Sequence, residues 1–437
     1  MMKLQIFTFS VLSAFFLNTV RASDDFASLW KDVSARSFGI SSSRYEAEAA
    51  AVGASRAGRH WFPRLLANAQ VVNSNDPGTT LFSTLRSRTL LATDLNPDLM
   101  NHPSREWFKQ GSLVLDWSLF EGGAGVALER GAEKESEARA LALASEMSKE
   151  YTNLTNDYAK LIALRNEHSA YKELKEKLNA FLARYKLGSR DNPVGYSGLL
   201  GMQALANRLD GYLDQTQAEI SATEYSLKTR SGREGQTIST PTDLSVKKFV
   251  DSALSVRNQD RRENSFQARS AARAADAASE FSKAERGRWL PRVGVFTSGN
   301  LTSAPRDSGT SVEYGAYLQW ELFNPKNIGS KKEATLRAEA TRERANQSAE
   351  ASNISSQFAA LSIPALEKNL TRIEDSFRLT SEQVAVTEKL FRNGSINVLQ
   401  FVEVLSRRTD VVQSRRSIEL AYVNLVSTRY LESGESQ

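Results

Sequence analysis

The chain has 437 residues, no Cys, three His and a formal net charge of +5. The lack of Cys excludes a disulfide framework, thiol catalysis and Cys-ligated metal. A charge excess this small, spread along the chain, excludes a nucleic-acid surface or a polybasic membrane patch.

At the N-terminus, Lys3, the apolar run from Ile6 to Phe16 and Val20-Arg21-Ala22 read as a secretory signal peptide over residues 1–22. Cleavage is expected after Ala22, and loss of Lys3 and Arg21 lowers the charge by two. A buried N-terminal helix is the alternative. Beyond this segment no apolar run is long enough for a transmembrane helix. A membrane crossing would therefore need a closed β-barrel.

Three motifs then occur twice, in the same order. Trp61-Phe62-Pro63-Arg64 returns as Trp289-Leu290-Pro291-Arg292, and Trp117-Ser118-Leu119-Phe120 as Trp320-Glu321-Leu322-Phe323. Tyr185-Lys186-Leu187-Gly188-Ser189 returns as Phe391-Arg392-Asn393-Gly394-Ser395. The separations of 228, 203 and 206 residues indicate one duplicated unit. The first copy is placed at 23–230 and the second at 246–437, with a polar, unpatterned joint at 231–245.

Within each copy an Ala-rich helical stretch ends at a Pro. Strands are expected at about 64–73 and 111–120, then at about 292–301 and 311–323, from period-two alternation. Leu113, Leu115 and Trp117 alternate with Ser112, Asp116 and Ser118. Leu318, Trp320 and Leu322 alternate with Glu313, Gln319 and Glu321. Such patterning suits a membrane strand and equally a half-buried sheet of a soluble domain. The strand-to-strand connection Asn73 to Gln110 is long, its counterpart Thr302 to Gly309 short. The long one is open to reading as a surface cap, a receptor site or disorder.

Each strand pair precedes a very long helix, expected at about 124–187 and 330–392, with return helices at about 195–230 and 396–432. At 1.5 Å per residue each long helix reaches roughly 95 Å, so it must pack lengthwise on other helices. Leu366, Leu370, Ile373, Phe377, Val384 and Phe391 form one heptad seam; Val404, Val411, Ile418 and Leu425 recur at intervals of seven. Pro364 is expected to kink or interrupt its helix. Gly188 and Gly394 mark reversals.

His60, His102 and His168 lack metal-ligand or triad spacing, and no phosphate-cradling Gly loop occurs. No catalytic, metal or cofactor site is expected, and the chain does not read as an enzyme.

These features together resemble the TolC family of outer-membrane efflux proteins, over essentially the whole mature chain. The carriers are Phe62-Pro63 and Leu290-Pro291 at strand entry, the W-x-L-F closes, and the stretch from Phe391 to Leu399. The family's usual entry is Leu-Pro, so the first copy departs from it. The resemblance implies a mixed α and β membrane protein: a homotrimer with four strands per chain in one twelve-stranded barrel, and antiparallel coiled coils forming a periplasmic tunnel. It implies an exit duct of a tripartite efflux or type I secretion system, docked to a periplasmic adaptor and an inner-membrane pump. Leu113, Leu115, Trp117, Leu318, Trp320 and Leu322 would face lipid. Asp116, Glu313, Gln319 and Glu321 would face the lumen. Leu187, Gly188, Ser189, Asn393, Gly394 and Ser395 match adaptor-docking tips, although turn chemistry alone explains the Gly. Gln400 and Glu403 stand where family channels often carry acidic residues that narrow the closed pore; only Glu403 keeps the charge, and it also reads as a solvated or adaptor-facing side chain. The rival reading from another class is a secreted coiled-coil scaffold or adhesin without a channel.

Overall fold

The structure, a computed structural model, describes residues 21–186, 192–238, 244–255 and 265–434. The expected signal segment through residue 20 and the tip residues Leu187, Gly188 and Ser189 lie outside them. The chain divides into two compact units that cut across the sequence repeats, each drawing segments from both copies. One comprises Met1–Ser41, Ser145–Ser265 and Ser352–Gln437, the other Ser42–Ala144 and Phe266–Ala351.

The second of these carries all four strands: β1 (Arg64–Ser74), β2 (Glu106–Glu121), β3 (Arg292–Ser303) and β4 (Ser308–Gln319). They form one antiparallel sheet in the order β1-β2-β3-β4. The two copies meet at the β2–β3 ladder, and β1 and β4 keep one edge each without a partner among the described residues. β4 stops short of the expected end, so Trp320, Glu321 and Leu322 lie beyond the strand. Its last rung pairs Gln319 with Arg292. The next residue of β3's side is Pro291, which has no N–H to extend the ladder. Glu321 instead accepts hydrogen bonds from the side chains of Asn324 and Asn327, both at 2.7 Å, at the entry to a short 3₁₀ turn.

Between β1 and β2 the long connection is helical: α3 (Pro77–Arg86) and α4 (Pro97–Asn101) flank a 3₁₀ turn. Asp76 and Asn96 cap the two helices, each with Pro at the first turn.

Two more helices of this unit are α8 (Phe266–Gly287) and most of α2 (Phe38–Ala57). With the first parts of α5 (Ala124–Leu182) and α9 (Ser330–Arg392) they pack through small residues: Ala127, Ala138, Ala275, Ala277 and Ala345 are all buried. A Cβ on Gly131 would sit 2.5 Å from the Phe281 ring, so Gly there lets α5 and α8 approach closely.

The other unit contains α1 (Arg21–Arg36), α6 (Pro193–Ser231), α7 (Val246–Ala253), α10 (Val398–Glu432) and the later parts of α5 and α9. One core joins Phe26 and Leu29 of α1, Tyr158 of α5, Phe249 of α7 and Tyr422 of α10. A second surrounds Phe181, Met202, Leu205, Val384 and Phe401 near the helix turns. α9 is continuous for 63 residues with Pro364 inside it. The expected interruption does not occur. The Pro forfeits one intrahelical bond, while Ala359 and Ile363 alongside it are buried in the core.

The buried stripe of α10 also differs from the expected one. Val404, Val411, Ile418 and Leu425 are only half-buried, and the deep positions fall one residue later, at Leu405, Val412, Glu419 and Val426. Three residues after the first three of these come Arg408, Arg415 and Tyr422, so charged side chains occupy the middle of the seam. Sequence patterning passes over this stripe because Glu419 interrupts its apolar series.

Candidate functional site: strand faces and helical turns

Cross-strand register assigns side chains to the two faces of the sheet, because directly opposed residues point the same way. One row runs Leu65, Leu115, Thr297 and Tyr314; the next runs Ala67, Leu113, Gly299 and Val312. Trp117, Val295 and Ala316 continue this face, and Leu318 lies on it opposite Val293. Its large apolar groups are exposed: Leu65 63%, Leu113 52%, Val312 74%, Tyr314 87% and Leu318 67%. A soluble sheet would hide such a face.

The opposite face is mixed: polar residues predominate, with Leu66, Val114 and Phe296 among them. Its rows contain Arg64 with Asp116, Asn68 with Ser112, Asn300 and Ser311, and Ser298 with Glu313. Arg64 pairs with Asp116, which also accepts from the Tyr317 hydroxyl at 2.9 Å; Arg292 reaches Glu121 at 2.6 Å. Asp116 and Glu313 thus share a face, and Gln319 lies on it at the end of β4. Glu321, past the strand, does not join them.

The duplicated Trp motifs repeat one local bond. Trp117 Nε1 donates to the Trp61 carbonyl at 2.8 Å, and Trp320 Nε1 donates to the Trp289 carbonyl at 3.2 Å. Each bond ties the close of a second strand to the entry of a first. This explains why the two Trp-containing motifs recur together, a relation the spacing alone did not reveal.

Above the β3–β4 turn lies the helical connection. Arg306 binds Asp94 through both guanidinium nitrogens, at 2.5 and 2.7 Å, and donates to the Thr89 carbonyl at 3.2 Å. Arg88, at φ 61°, donates to the Thr310 carbonyl at 3.1 Å. The guanidinium of Arg306 holds the Asp94 carboxyl down to about 2. The connection is therefore an ordered cap. Asp76-Pro77 and Asn96-Pro97 were the sequence signals for its helices, a capping residue followed by Pro.

In the helical unit, the α9–α10 reversal is built from Asn393, Gly394 and Ser395. Gly394 has φ 70°, Ser395 N–H donates to Leu390 O at 2.9 Å, and Gly394 N–H to Phe391 O at 3.0 Å. Asn397 caps α10 and exchanges bonds with Gln400: Gln400 N–H to Asn397 Oδ1 at 3.0 Å, and Asn397 N–H to Gln400 Oε1 at 3.1 Å. Glu403 is exposed and pairs with Arg407 at 2.5 Å. Both side chains at the expected constriction thus have local partners.

Behind the turns, Arg416 links α10 to Glu167 of α5 at 2.8 Å and to Glu219 of α6 at 3.4 Å. Arg408 is buried, lies 3.5 Å from the Phe377 ring centroid, and has its basicity lowered to about 10 by desolvation. Arg415 approaches Glu419 at 3.2 Å, yet the buried Nε makes no hydrogen bond, so the contact is ionic only. Burial raises the Glu419 carboxyl to about 7, against the pull of Arg415 and with the push of Glu374.

Among the described residues no group of three potential metal ligands occurs, and no helix is long and apolar enough to cross a membrane. No protein-family model matches the sequence, and no curated protein matches it. Solved structures do match in fold. CusC aligns with a TM-score of 0.77 at 13% identity, over 94% of this chain and 92% of that one. The outer membrane protein VceC of Vibrio cholerae gives 0.74 at 13%, over 94% and 97%. The CmeC outer membrane channel of Campylobacter jejuni gives 0.73 at 11%, over 95% and 87%. Long helices carrying a four-stranded antiparallel sheet are thus shared almost end to end, and this chain has the TolC-type fold of outer-membrane channels.

Proposed function

We propose that this protein is a passive exit duct of the outer membrane, serving a tripartite efflux or type I secretion system. The observation that carries the reading is the sheet: an exposed apolar face backed by a predominantly polar one, with two edges unpaired among the described residues. Exposed strand edges and apolar faces are costly in water and satisfied by closure within lipid. Four strands cannot close alone, but three copies joined β4 to β1 make a twelve-stranded barrel. Leu113, Leu115, Trp117 and Leu318 then contact lipid, with Trp320 and Leu322 just beyond the strand at its rim. Asp116, Glu313 and Gln319 line the lumen and favour cations.

The coiled coils extend into the periplasm, where the turns around Gly188 and Gly394 receive an adaptor that couples the duct to an inner-membrane pump. Export proceeds through a cleaved signal peptide. The protein performs no chemistry of its own; energy comes from the pump. Purification from membranes in detergent, followed by mass measurement and planar-bilayer recording, tests the reading. A conducting trimer is expected. A soluble chain without conductance would remove the barrel and restore the scaffold reading.

A further inference from the structure

The helical connection from β1 to β2 does not stand clear of the sheet; it folds over one face of it. At the β3–β4 turn end, the row Gln70, Gln110, Thr302 and Gly309 belongs to the predominantly polar face. A Cβ on Gly309 would sit 2.3 Å from the Arg86 carbonyl oxygen, so the end of α3 lies directly on that face. Burial follows the same division. Phe108, Thr302 and Gly309 on this face are buried, whereas Trp107, Leu301 and Thr310 on the other are exposed.

The connection is pinned in this position. The chain leaves α3 through Arg88, whose φ of 61° is uncommon outside Gly and whose guanidinium donates to the Thr310 carbonyl at 3.1 Å. From the β3–β4 turn, Arg306 holds both Asp94 and the Thr89 carbonyl. At the end of α3 a polar cavity of about 250 Å³ is bordered by Asn68, Gln70, Asn300, Ser311 and Glu313 of the sheet and by Arg86. Arg86 is exposed and has no carboxylate partner among the described residues.

We infer that residues 77–101 form a lid inside the outer mouth of the duct, and that each lid presents the Arg86 cation to the passing solute. The inference rests on the duct reading, which turns the predominantly polar face to the lumen, and it adds a narrowing and a charge at the exit. A twelve-stranded barrel with strands about 4.8 Å apart measures roughly 25 Å across its backbone. A helix is about 10 Å thick, so three lids leave only a fraction of that opening. Three Arg86 side chains there oppose the cation preference that Asp116 and Glu313 give the lumen. Small anions pass such a ring more readily than an acidic lumen alone, and large solutes need the lid to move.

The test is single-channel recording of the full-length protein in a planar bilayer under a potassium chloride gradient. Arg86→Glu should move the reversal potential toward that of potassium, and Arg86→Gln should move it less in the same direction. The chain has no Cys, so Arg86→Cys and Leu301→Cys each carry one thiol per copy. A bulky anionic thiosulfonate should lower the conductance of Arg86→Cys in up to three steps. It should leave Leu301→Cys unchanged, because that residue lies near the same level on the other face. Replacing residues 77–101 with a short Gly-Ser linker should raise conductance about twofold or more where the trimer assembles. The point variants carry the test where it does not. An unchanged conductance after confirmed labelling of Arg86→Cys, or an unchanged reversal potential in Arg86→Glu, overturns the inference. Equal block at Leu301→Cys does so too, since the two faces would then not be lumen and lipid. These failures in a conducting wild type sink the lid alone, whereas a wild type without conductance sinks the duct reading itself.

Discussion

At the residue scale, Glu419 sets the strongest condition on the helical unit. It occupies a seam position between Val412 and Val426, where a coiled coil ordinarily places an apolar side chain. Only an ionic approach from Arg415 compensates the buried charge, so desolvation dominates and the carboxyl is raised to about 7. A carboxyl with a folded value above its unfolded value stabilises fully below the ordinary carboxylate range. That contribution is lost as pH rises from about 4.5 through about 7. The loss amounts to at most about 3 kcal/mol at one site. Glu419→Gln keeps the shape and removes the titration. Its melting temperature should match the wild type near pH 5 and exceed it near pH 8. An equal difference between the two proteins at both values would show that the seam carboxyl is not governed by burial. The same residue shows why the seam was only partly legible in the sequence. A charged side chain at an a/d position looks like surface until the packing around it is known.

At the element scale, strands were more legible than helix partners. Period-two alternation in Leu113 to Leu119 is a local property of the chain, and β2 and β4 follow it. The strand limits were less so, because they depend on neighbours: β2 starts earlier than the pattern suggests, where β1 offers partners, and β4 ends where Pro291 stops the ladder. The connection over residues 77–101 was left open between a cap, a receptor site and disorder because its helices are too short to show periodicity, though Asp76-Pro77 announced one of them. The sheet's faces yield a direct test. Leu318 is 67% exposed, on the apolar side of an edge strand. Leu318→Arg should cost about 2–4 kcal/mol if that face meets the bilayer midplane, and less near its borders. Trimer recovered from membranes should fall accordingly, while Thr297→Ser on the same face should leave the yield unchanged. Normal yield from the Arg variant would take Leu318 off the lipid side.

At the scale of the whole molecule, the proposed duct rests on two kinds of place: strands that would close with other copies, and turns that would receive an adaptor. The sequence duplication accounts for both, since each copy supplies two strands and one reversal. Yet the compact units do not follow the copies, because the strands of both gather in one unit and the later parts of both long helices in the other. The two functions should therefore fail separately. Gly394 adopts φ 70°, a conformation that costs an L-residue about 1–2 kcal/mol, and a Cβ there meets nothing within 4 Å. Gly394→Val thus strains one turn without disturbing the packing around it. In cells the variant should reach the outer membrane as a trimer in normal amount, yet export should drop because the docking turn has changed shape. Loss of the trimer would mean that the turns also govern assembly. Normal export with a normal trimer would mean that this reversal is only a turn, and that the partner is held elsewhere on the helices.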